Sequence, residues 1–158
     1  MDGVIVRPAV PDDLPRLAEL AESLVRAHHA WDPQRFLLAR GVAEGYRRWF
    51  AKELEDPAAA LLVAAEGGAI LGYAYGRAQE RDWNMLLDRH GALHDILVAE
   101  GARRRGVAEA LLEGFFAQMK ARGVPRVVLH TATQNVGAQA LFAKAGFRPT
   151  MIEMTREL

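Results

Sequence analysis

Cysteine is absent from this chain of 158 residues, and Ser23 is its only serine. Without cysteine the chain can form no disulfide, no thiolate nucleophile and no cysteine-ligated zinc site. Ser23 falls in a run of apolar residues with helical spacing, far from the motifs described below. Covalent catalysis by a side-chain nucleophile is therefore not expected.

An excess of charge of either sign is also absent, because 20 basic residues balance 20 acidic ones. A dedicated nucleic-acid-binding protein needs a basic surplus against the phosphate backbone, so that class is not expected. The N-terminus shows no basic segment followed by an apolar one, and no apolar run approaches the length that spans a bilayer. We expect a cytoplasmic protein that binds neither nucleic acid nor a membrane.

The histidines do not have metal-binding spacing. His28 and His29 are adjacent, and adjacent residues of a helix do not face the same site. His90 and His94 are four residues apart, but the pattern after His90 is that of a strand, so the helical zinc geometry is missing. We expect no bound metal.

The order of hydrophobic patterns predicts a single α/β domain over residues 4–158. Strands are predicted at 4–7, 61–65, 70–75, 93–98 and 127–130, and helices at 14–25, 42–54, 107–121 and 137–145. Residues 80–90 are predicted to be irregular, and the tail from Phe147 to Leu158 to add one or two strands. The result is a mixed, mostly antiparallel sheet of six or seven strands with about four helices on its faces.

One segment combines a predicted strand, a short loop and the start of a helix. Arg103, Arg104 and Arg105 stand at that helix start, where the partial positive charge of the helix disfavours cations. A bound anion would resolve the conflict, because guanidinium groups and free backbone N–H groups would both face it. Gly106 and Ala108 leave room for a phosphate to approach the main chain. The alternatives are a solvated basic loop and a site for some other phosphate ligand.

Two motifs resemble those of the GNAT N-acetyltransferase superfamily. The Arg-x-x-Gly-x-Ala run at 103–108 is similar to that family's R/Q-x-x-G-x-G/A pyrophosphate loop. Residues 135–147 resemble its N-x-x-A-x-x-L-Y-x-x-x-G-F motif, and the predicted strand order matches as well. The resemblance runs from Val4 to about Leu158 and is weakest between Arg26 and Pro57. It implies a sheet split as a V around acetyl-CoA, and acetyl transfer to a primary amine within a ternary complex.

The resemblance also assigns residues to acetyl-CoA. The main chain of the strand before the loop would bind the pantetheine arm, and one N–H of that strand would polarise the thioester carbonyl. N–H groups of the loop would hold the pyrophosphate, and the second motif would contact the pantetheine and the sulfur. The implied binding residues are Ile96, Leu97, Val98, Arg103, Arg104, Arg105, Gly106, Val107, Ala108, Asn135, Ala138, Phe142 and Lys144.

His94 is the predicted general base, because the ordinary histidine pKa of roughly 6.5 suits proton transfer near neutrality. Glu80 is the second candidate and would act through water, while Asp95 would orient a neighbour or bind a cationic substrate. The structural alternative for His94 is a hydrogen bond to main chain. Strict alternation along the strand places one set of side chains on each side: Ala92, His94 and Ile96 on one, Leu93, Asp95 and Leu97 on the other.

Phe142 stands where the second motif usually has a tyrosine, whose hydroxyl protonates the leaving thiolate in many relatives. Phenylalanine has no proton to give, so water, Tyr73 or Tyr75 would supply it. Loss of one general acid typically slows a reaction about 100- to 10,000-fold, which predicts slow turnover rather than none. The rival function is a non-catalytic or weakly active acyl-CoA-binding or regulatory protein.

The acceptor predicted by the resemblance is a small-molecule or peptide amine. Trp31, Phe36 and Trp83 are the aromatic candidates to line its pocket, with ordinary packing as the alternative. The family often forms dimers, and the apolar residues Met151, Ile152 and Met154 of the predicted final strand would give a homodimer an edge to pair along.

Overall fold

Five strands and four α-helices make up the part of the chain that the computed structural model describes, residues 3–158. The strands are β1 (Ile5–Pro8), β2 (Ala59–Glu66), β3 (Ala69–Gln79), β4 (His90–Val98) and β5 (Val127–Leu129). The helices are α1 (Leu14–Trp31), α2 (Val42–Glu53), α3 (Val107–Ala121) and α4 (Val136–Lys144). The predicted order of elements is confirmed as far as α4. Both β3 and β4 extend toward the irregular segment beyond their predicted ends.

The strands form one sheet in the order β1-β2-β3-β4-β5, and only the β4–β5 pair is parallel. The prediction of six or seven strands is wrong for the described residues, because the tail after Gly146 contains neither helix nor strand. Pro149 interrupts that tail and has no N–H to donate to a ladder. Met151 and Ile152 are exposed in it, so the strand expected to serve as a dimer edge is not formed.

Helices cover the two faces of the sheet separately, which gives two hydrophobic clusters. On one face α3 packs its buried side chains onto alternate residues of β2, β3 and β4. The main members of this α3 cluster are Leu62, Ala74, Leu93, Val107, Leu111, Leu112, Phe115 and Met119. On the other face α1 and α2 pack onto the intervening residues. The main members of this α1–α2 cluster are Leu14, Leu17, Ala21, Phe50, Leu61, Val63, Tyr73 and Tyr75.

A β-bulge interrupts the pairing of β3 with β4. Tyr75 pairs with Asp95 and Gly76 with Leu93, so His94 is an extra residue without a partner on β3. Strict alternation along this strand is therefore wrong. Leu93 and Ile96 both pack in the α3 cluster. His94 and Asp95 instead lie next to each other on the opposite face, where His94 contacts Tyr75 and Asp95 contacts Tyr73 of the α1–α2 cluster.

The sheet opens between β4 and β5. Their register covers only Gly91–Leu93 of β4, paired with Val127–Leu129. From His94 to Val98, β4 continues along β3 but has no strand on its β5 side within residues 3–158. This is the V-shaped opening that the predicted fold implies, and the free edge of β4 leads directly into the loop that carries the arginines.

Candidate active site

The bulge places a carboxyl group and an imidazole side by side on the α1–α2 face. The Asp95 carboxyl accepts a hydrogen bond of 3.0 Å from the Tyr73 hydroxyl. The His94 ring stacks on the ring of Tyr75, with 5.6 Å between ring centroids. Tyr73 and Tyr75 are almost completely buried. The two polar side chains therefore lie against aromatic rings that are packed in the core.

Asp95 is a buried acid with a displaced pKa. Burial raises the pKa of its carboxyl to about 6, and the hydrogen bond from Tyr73 and the nearby His28 offset part of that rise. The same burial raises the pKa of the Tyr73 hydroxyl, and the charge of Asp95 adds to it. Burial, with a smaller contribution from the charge of Asp95, raises the pKa of the Tyr46 hydroxyl to about 12. A carboxyl that titrates close to neutrality among tyrosines is typical of a functional site.

His94 is exposed at the bulge, yet its surroundings disfavour the charged form. Partial desolvation is the largest cause that lowers its pKa below 6.5, and the positive charge of Arg77 and the proximity of His130 act in the same direction. The imidazole is therefore neutral at pH 7 and can accept a proton. The ring makes no hydrogen bond to main chain within the described residues, in contrast to His90, whose Nδ1 lies 2.9 Å from the Asp88 carbonyl oxygen.

A second buried carboxyl, Glu53, was missed at the sequence level. Its carboxylate accepts a hydrogen bond of 2.5 Å from the Tyr75 hydroxyl and forms an ion pair with Arg77 at 3.1 Å. The sequence does contain a signal for it. Glu53 is seven residues after Tyr46 and three after Phe50, so it lies on the apolar face of α2, where an acid needs a buried partner.

Glu80 lies apart from the bulge. It follows the last residue of β3, is largely exposed and pairs with Arg89 at 3.2 Å. The register of β3 with β4 places Glu80 near residue 89, five residues along from His94, which is about 16 Å in an extended strand. The structure thus brings His94 and Asp95 together but not Glu80.

The loop between β4 and α3 presents a row of free backbone N–H groups. No acceptor within residues 3–158 takes the N–H groups from Arg104 to Glu109, and no side chain caps α3. Arg104 has a φ of 60° and Gly106 a φ of 75°, and these left-handed residues turn the chain sharply into the helix. Consecutive free N–H groups at a helix start form an anion site, and their positive potential adds to that of the helix.

The three arginines of this loop do not act alike. The Arg105 guanidinium lies 2.9 Å from both carboxylate oxygens of Glu66 at the end of β2, so it is already paired. Arg103 turns back toward the free edge of β4, with its Nε 3.4 Å from the Val98 carbonyl oxygen. Arg104 is exposed, and no described carboxylate pairs with it. Two guanidinium groups therefore remain available at the loop.

The second motif forms α4 across the opening. The Asn135 side chain caps this helix by accepting a hydrogen bond of 3.2 Å from the Ala138 N–H, which leaves its amide nitrogen free for a ligand. Phe142 is buried in the α3 cluster, 5.8 Å from the Phe147 ring by centroids. Lys144 is exposed and lies 3.7 Å from Glu109 in the first turn of α3.

A cleft of about 640 Å³ lies between α1, the α1–α2 connection and α2. Of the three aromatic residues considered for an acceptor pocket, Phe36 lies on its wall, whereas Trp31 and Trp83 do not. Trp83 is 73% exposed on the irregular segment. Neither His94 nor Asp95 lines the cleft, but Trp49 of its wall packs edge-on to Tyr75, the ring on which His94 stacks, with 4.9 Å between the Trp49 and Tyr75 centroids.

Among the described residues, no helix is both long and apolar enough to cross a bilayer. In the same part of the chain, no three or more acidic, histidine or cysteine side chains are grouped as metal ligands.

Comparison with known proteins places these features in a family context. Residues 18–147 match the family described as "Acetyltransferase (GNAT) family". A mycothiol acetyltransferase of Pseudarthrobacter chlorophenolicus is 29% identical over 154 residues, covering 92% of this chain and 43% of that protein. The chain thus spans less than half the length of this relative.

Solved structures show the same fold. A GCN5-related N-acetyltransferase of Ralstonia eutropha has a TM-score of 0.74 and 27% identity, with 99% of each chain covered. An aminoglycoside N-acetyltransferase in complex with CoA has a TM-score of 0.80 at 18% identity, covering 98% of this chain and 94% of that one.

Proposed function

Because the chain belongs to the GNAT acetyltransferase family, as its two motifs predicted, we propose that it transfers the acetyl group of acetyl-CoA to a primary amine. The transfer is direct, within a ternary complex. The observation that carries the proposal is the continuity of three features in one stretch of chain. These are the neighbouring acid and imidazole of the bulge, the free edge of β4, and the row of N–H groups before α3.

On the acetyl-CoA side, the chain offers groups that fit a pantetheine diphosphate. The N–H groups from Arg104 to Ala108, with the Arg104 guanidinium, bind the pyrophosphate. The main chain of Ile96, Leu97 and Val98 pairs with the pantetheine amides along the free edge of β4, as a strand would. The free amide nitrogen of Asn135 reaches the same arm from α4.

On the amine side, His94 takes the proton. A neutral imidazole accepts a proton from the ammonium group, and the amine nitrogen then attacks the thioester carbonyl carbon as the carbon–sulfur bond breaks. Asp95, ionised at pH 7 with its pKa of about 6, holds the ammonium beside His94 before that transfer. Main-chain N–H groups near the bulge stabilise the negative charge that develops on the carbonyl oxygen.

The thiolate receives its proton from water in this proposal, and that water regains a proton from the second N–H that the nitrogen loses as the amide forms. The first proton, taken by His94, is the one released to solvent. The hydroxyls of Tyr73 and Tyr75 both donate to buried carboxylates, and their raised pKa values make them weaker acids than ordinary tyrosines. Phe142 has no proton to give. The products are an N-acetylated amine, free coenzyme A and one proton released to solvent.

The test is an acidic substitution in the first turn of α3. Ala108→Glu adds a negative charge that the helix start tolerates but that repels a diphosphate. A unit charge about 4 Å from the ligand weakens binding by a few kcal/mol at an effective dielectric constant near 20, so we expect a Kd for acetyl-CoA at least about 100-fold higher. Calorimetry measures the Kd. Ala117→Glu is the matched control, because Ala117 is exposed on the same helix, far from the loop.

Two outcomes contradict the proposal. If the unaltered chain gives no heat with acetyl-CoA at millimolar concentration, or if both variants bind as the wild type does, the loop is not the coenzyme site. If acetyl-CoA binds but no amine panel releases free coenzyme A, the rival function of a non-catalytic acyl-CoA-binding protein is correct.

A further inference from the structure

We infer that the amine acceptor carries a carboxylate on an apolar body and is not a polycation. The inference rests on the proposed acetyl transfer and concerns the cleft between α1 and α2. The cleft wall is apolar and basic, and its Trp49 contacts Tyr75, which lies against the imidazole of the bulge.

The charges of the cleft have one sign. Its wall includes Arg35, Arg40 and Arg48, and within the described part of the chain it includes no aspartate or glutamate. A polycationic acceptor would place several ammonium groups against these guanidiniums, at a cost in repulsion and in lost hydration. An acceptor with one carboxylate would instead meet planar donors suited to a two-point contact.

The three guanidiniums differ in availability. Arg35 makes a two-point ion pair with Glu153 of the C-terminal tail and also lies near Asp32. Neither Arg40 nor Arg48 forms an ion pair with any described carboxylate, although Arg48 is close enough to Glu44 to lower the pKa of that acid. Arg40 and Arg48 are therefore the groups that the structure leaves for an acceptor's carboxylate.

The rest of the wall suits a flat apolar body. Phe36, Val42 and Trp49 contribute apolar and aromatic surface. Gly45 lies in the middle of α2, where glycine weakens a helix, and a methyl group added there would meet nothing within 4 Å. Alanine would fit at this position and strengthen the helix. Glycine instead leaves open space in the cleft wall beside the Trp49 ring.

A group of opposite charge, Asp95, lies close to one part of the cleft wall. Tyr46 and His28 of that wall are both near enough to Asp95 to interact electrostatically with its carboxyl. An acceptor lying along the cleft would therefore place its ammonium group at Asp95 and His94 and its carboxylate toward Arg40 and Arg48. The two charges of the acceptor are separated by its apolar body.

The experiment compares amines that differ only in the carboxylate. Benzylamine and 4-(aminomethyl)benzoate share the ring and the amine, and the carboxylate lies across the ring, so the basicity of the amine hardly changes. The 3-isomer tests the direction of the anion, and spermidine and kanamycin serve as polycations. Coenzyme A release by the full chain gives kcat/KM for each. We expect kcat/KM for at least one of the two aminomethylbenzoates to exceed that for benzylamine by about tenfold, the size expected of two partly exposed ion pairs. We expect both polycations to have the lowest kcat/KM.

Variants assign the preference to the cleft. Arg40→Gln with Arg48→Gln is expected to bring the carboxylate and benzylamine within about twofold of each other, while the Kd for acetyl-CoA stays unchanged. Arg26→Gln is the matched control, because Arg26 is exposed on α1 outside the cleft wall and pairs with Glu22. Gly45→Leu should narrow the cleft beside Trp49, lower kcat/KM for acceptors that occupy it, and leave both folding and acetyl-CoA binding intact.

Failure of this inference can be told apart from failure of the proposed function. If benzylamine or a polycation is the best acceptor, or if the double arginine variant keeps the preference, the inference is wrong while acetyl transfer stands. If acetyl-CoA binds but no amine reacts, calorimetry can still test the inference by comparing the affinities of 4-(aminomethyl)benzoate and benzylamine for the protein. Equal affinities would overturn the inference.

Discussion

Replacing Asp95 by asparagine should make the protein more stable at neutral pH while impairing it as an enzyme. The carboxyl is 9% exposed, and its pKa is raised from 3.8 to about 6, chiefly by burial. Asparagine has nearly the same shape, bears no charge, and can still accept the hydrogen bond from the Tyr73 hydroxyl. The substitution therefore removes the buried charge and leaves the packing in place.

The size of the effect follows from linkage between folding and protonation. A carboxyl with a higher pKa in the folded chain holds its proton more tightly there, so its contribution to stability is present below pH 3.8 and lost as pH rises through about 6. A rise of about 2 pKa units corresponds to about 3 kcal/mol. Asp95→Asn should thus gain about 3 kcal/mol at pH 7.5, or a Tm higher by about 6–12 °C, and almost nothing at pH 3.5.

Urea unfolding at a series of pH values measures the difference, and Asp13→Asn is the control of opposite sign. Asp13 is also buried, but a hydrogen-bonded ion pair of 2.7 Å with Arg7 lowers its pKa. Its stabilisation is present above the unfolded pKa and lost as pH falls, so Asp13→Asn should lose about 2 kcal/mol at pH 7.

Acetyl transfer by Asp95→Asn should fall at least about tenfold if the ionised carboxyl holds the acceptor's ammonium group. Equal or lower stability of Asp95→Asn at pH 7.5, with an unchanged fold by circular dichroism, would refute the reasoning about the buried charge. Full activity would refute the role of Asp95 in holding the amine.

Two further predictions concern the bulge. If His94 is the base, kcat/KM should fall as the pH drops through a pKa below 6.5. His94→Gln should lower kcat/KM at pH 8 by about 100-fold or more without changing the Kd for acetyl-CoA. A His94→Gln variant with wild-type activity would exclude this role. Gly76→Ala should destabilise the protein by about 2 kcal/mol or more in urea unfolding, because the added methyl group would stand 2.2 Å from the Ala92 carbonyl oxygen and 2.5 Å from the Phe115 ring; Gly45→Ala, with open space around it, should cost nothing.

The order of elements and the uncapped helix start after the arginines were predictable because their signals are local. The spacing of Val107, Leu111 and Phe115 marks one face of α3, and that face is buried. Likewise, the sequence places arginines at a helix start, where the partial positive charge of the helix disfavours cations. No side chain caps that helix, and its first N–H groups are free in the structure.

The position of Asp95 relative to His94 was not predictable from the strand pattern. A bulge depends on how two strands far apart in sequence come into register, and alternation along one strand contains no information about it. Glu80 was a reasonable second base by its place at a strand end, but register also decides that it lies far from the bulge.

The tail shows a different limit of sequence patterns. Met151, Ile152 and Met154 are as apolar as residues of a strand, yet a strand needs a neighbour with free main-chain groups and a surface to cover. Pro149 and the ion pair of Glu153 with Arg35 instead lead the tail toward the α1–α2 connection. Such a contact over more than a hundred residues has no local signature.

The sheet separates the proposed acetyl-CoA site from the proposed acceptor site. Behind the sheet, α3 and the loop before it form the side proposed to bind one fixed coenzyme. In front of the sheet, α1, α2 and the cleft share almost no packing partners with that side, since the strands present alternate residues to each side. Substitutions that reshape the choice of amine can therefore accumulate in front without disturbing the machinery behind, so new acceptor specificities should be easier to evolve here than a new acyl donor.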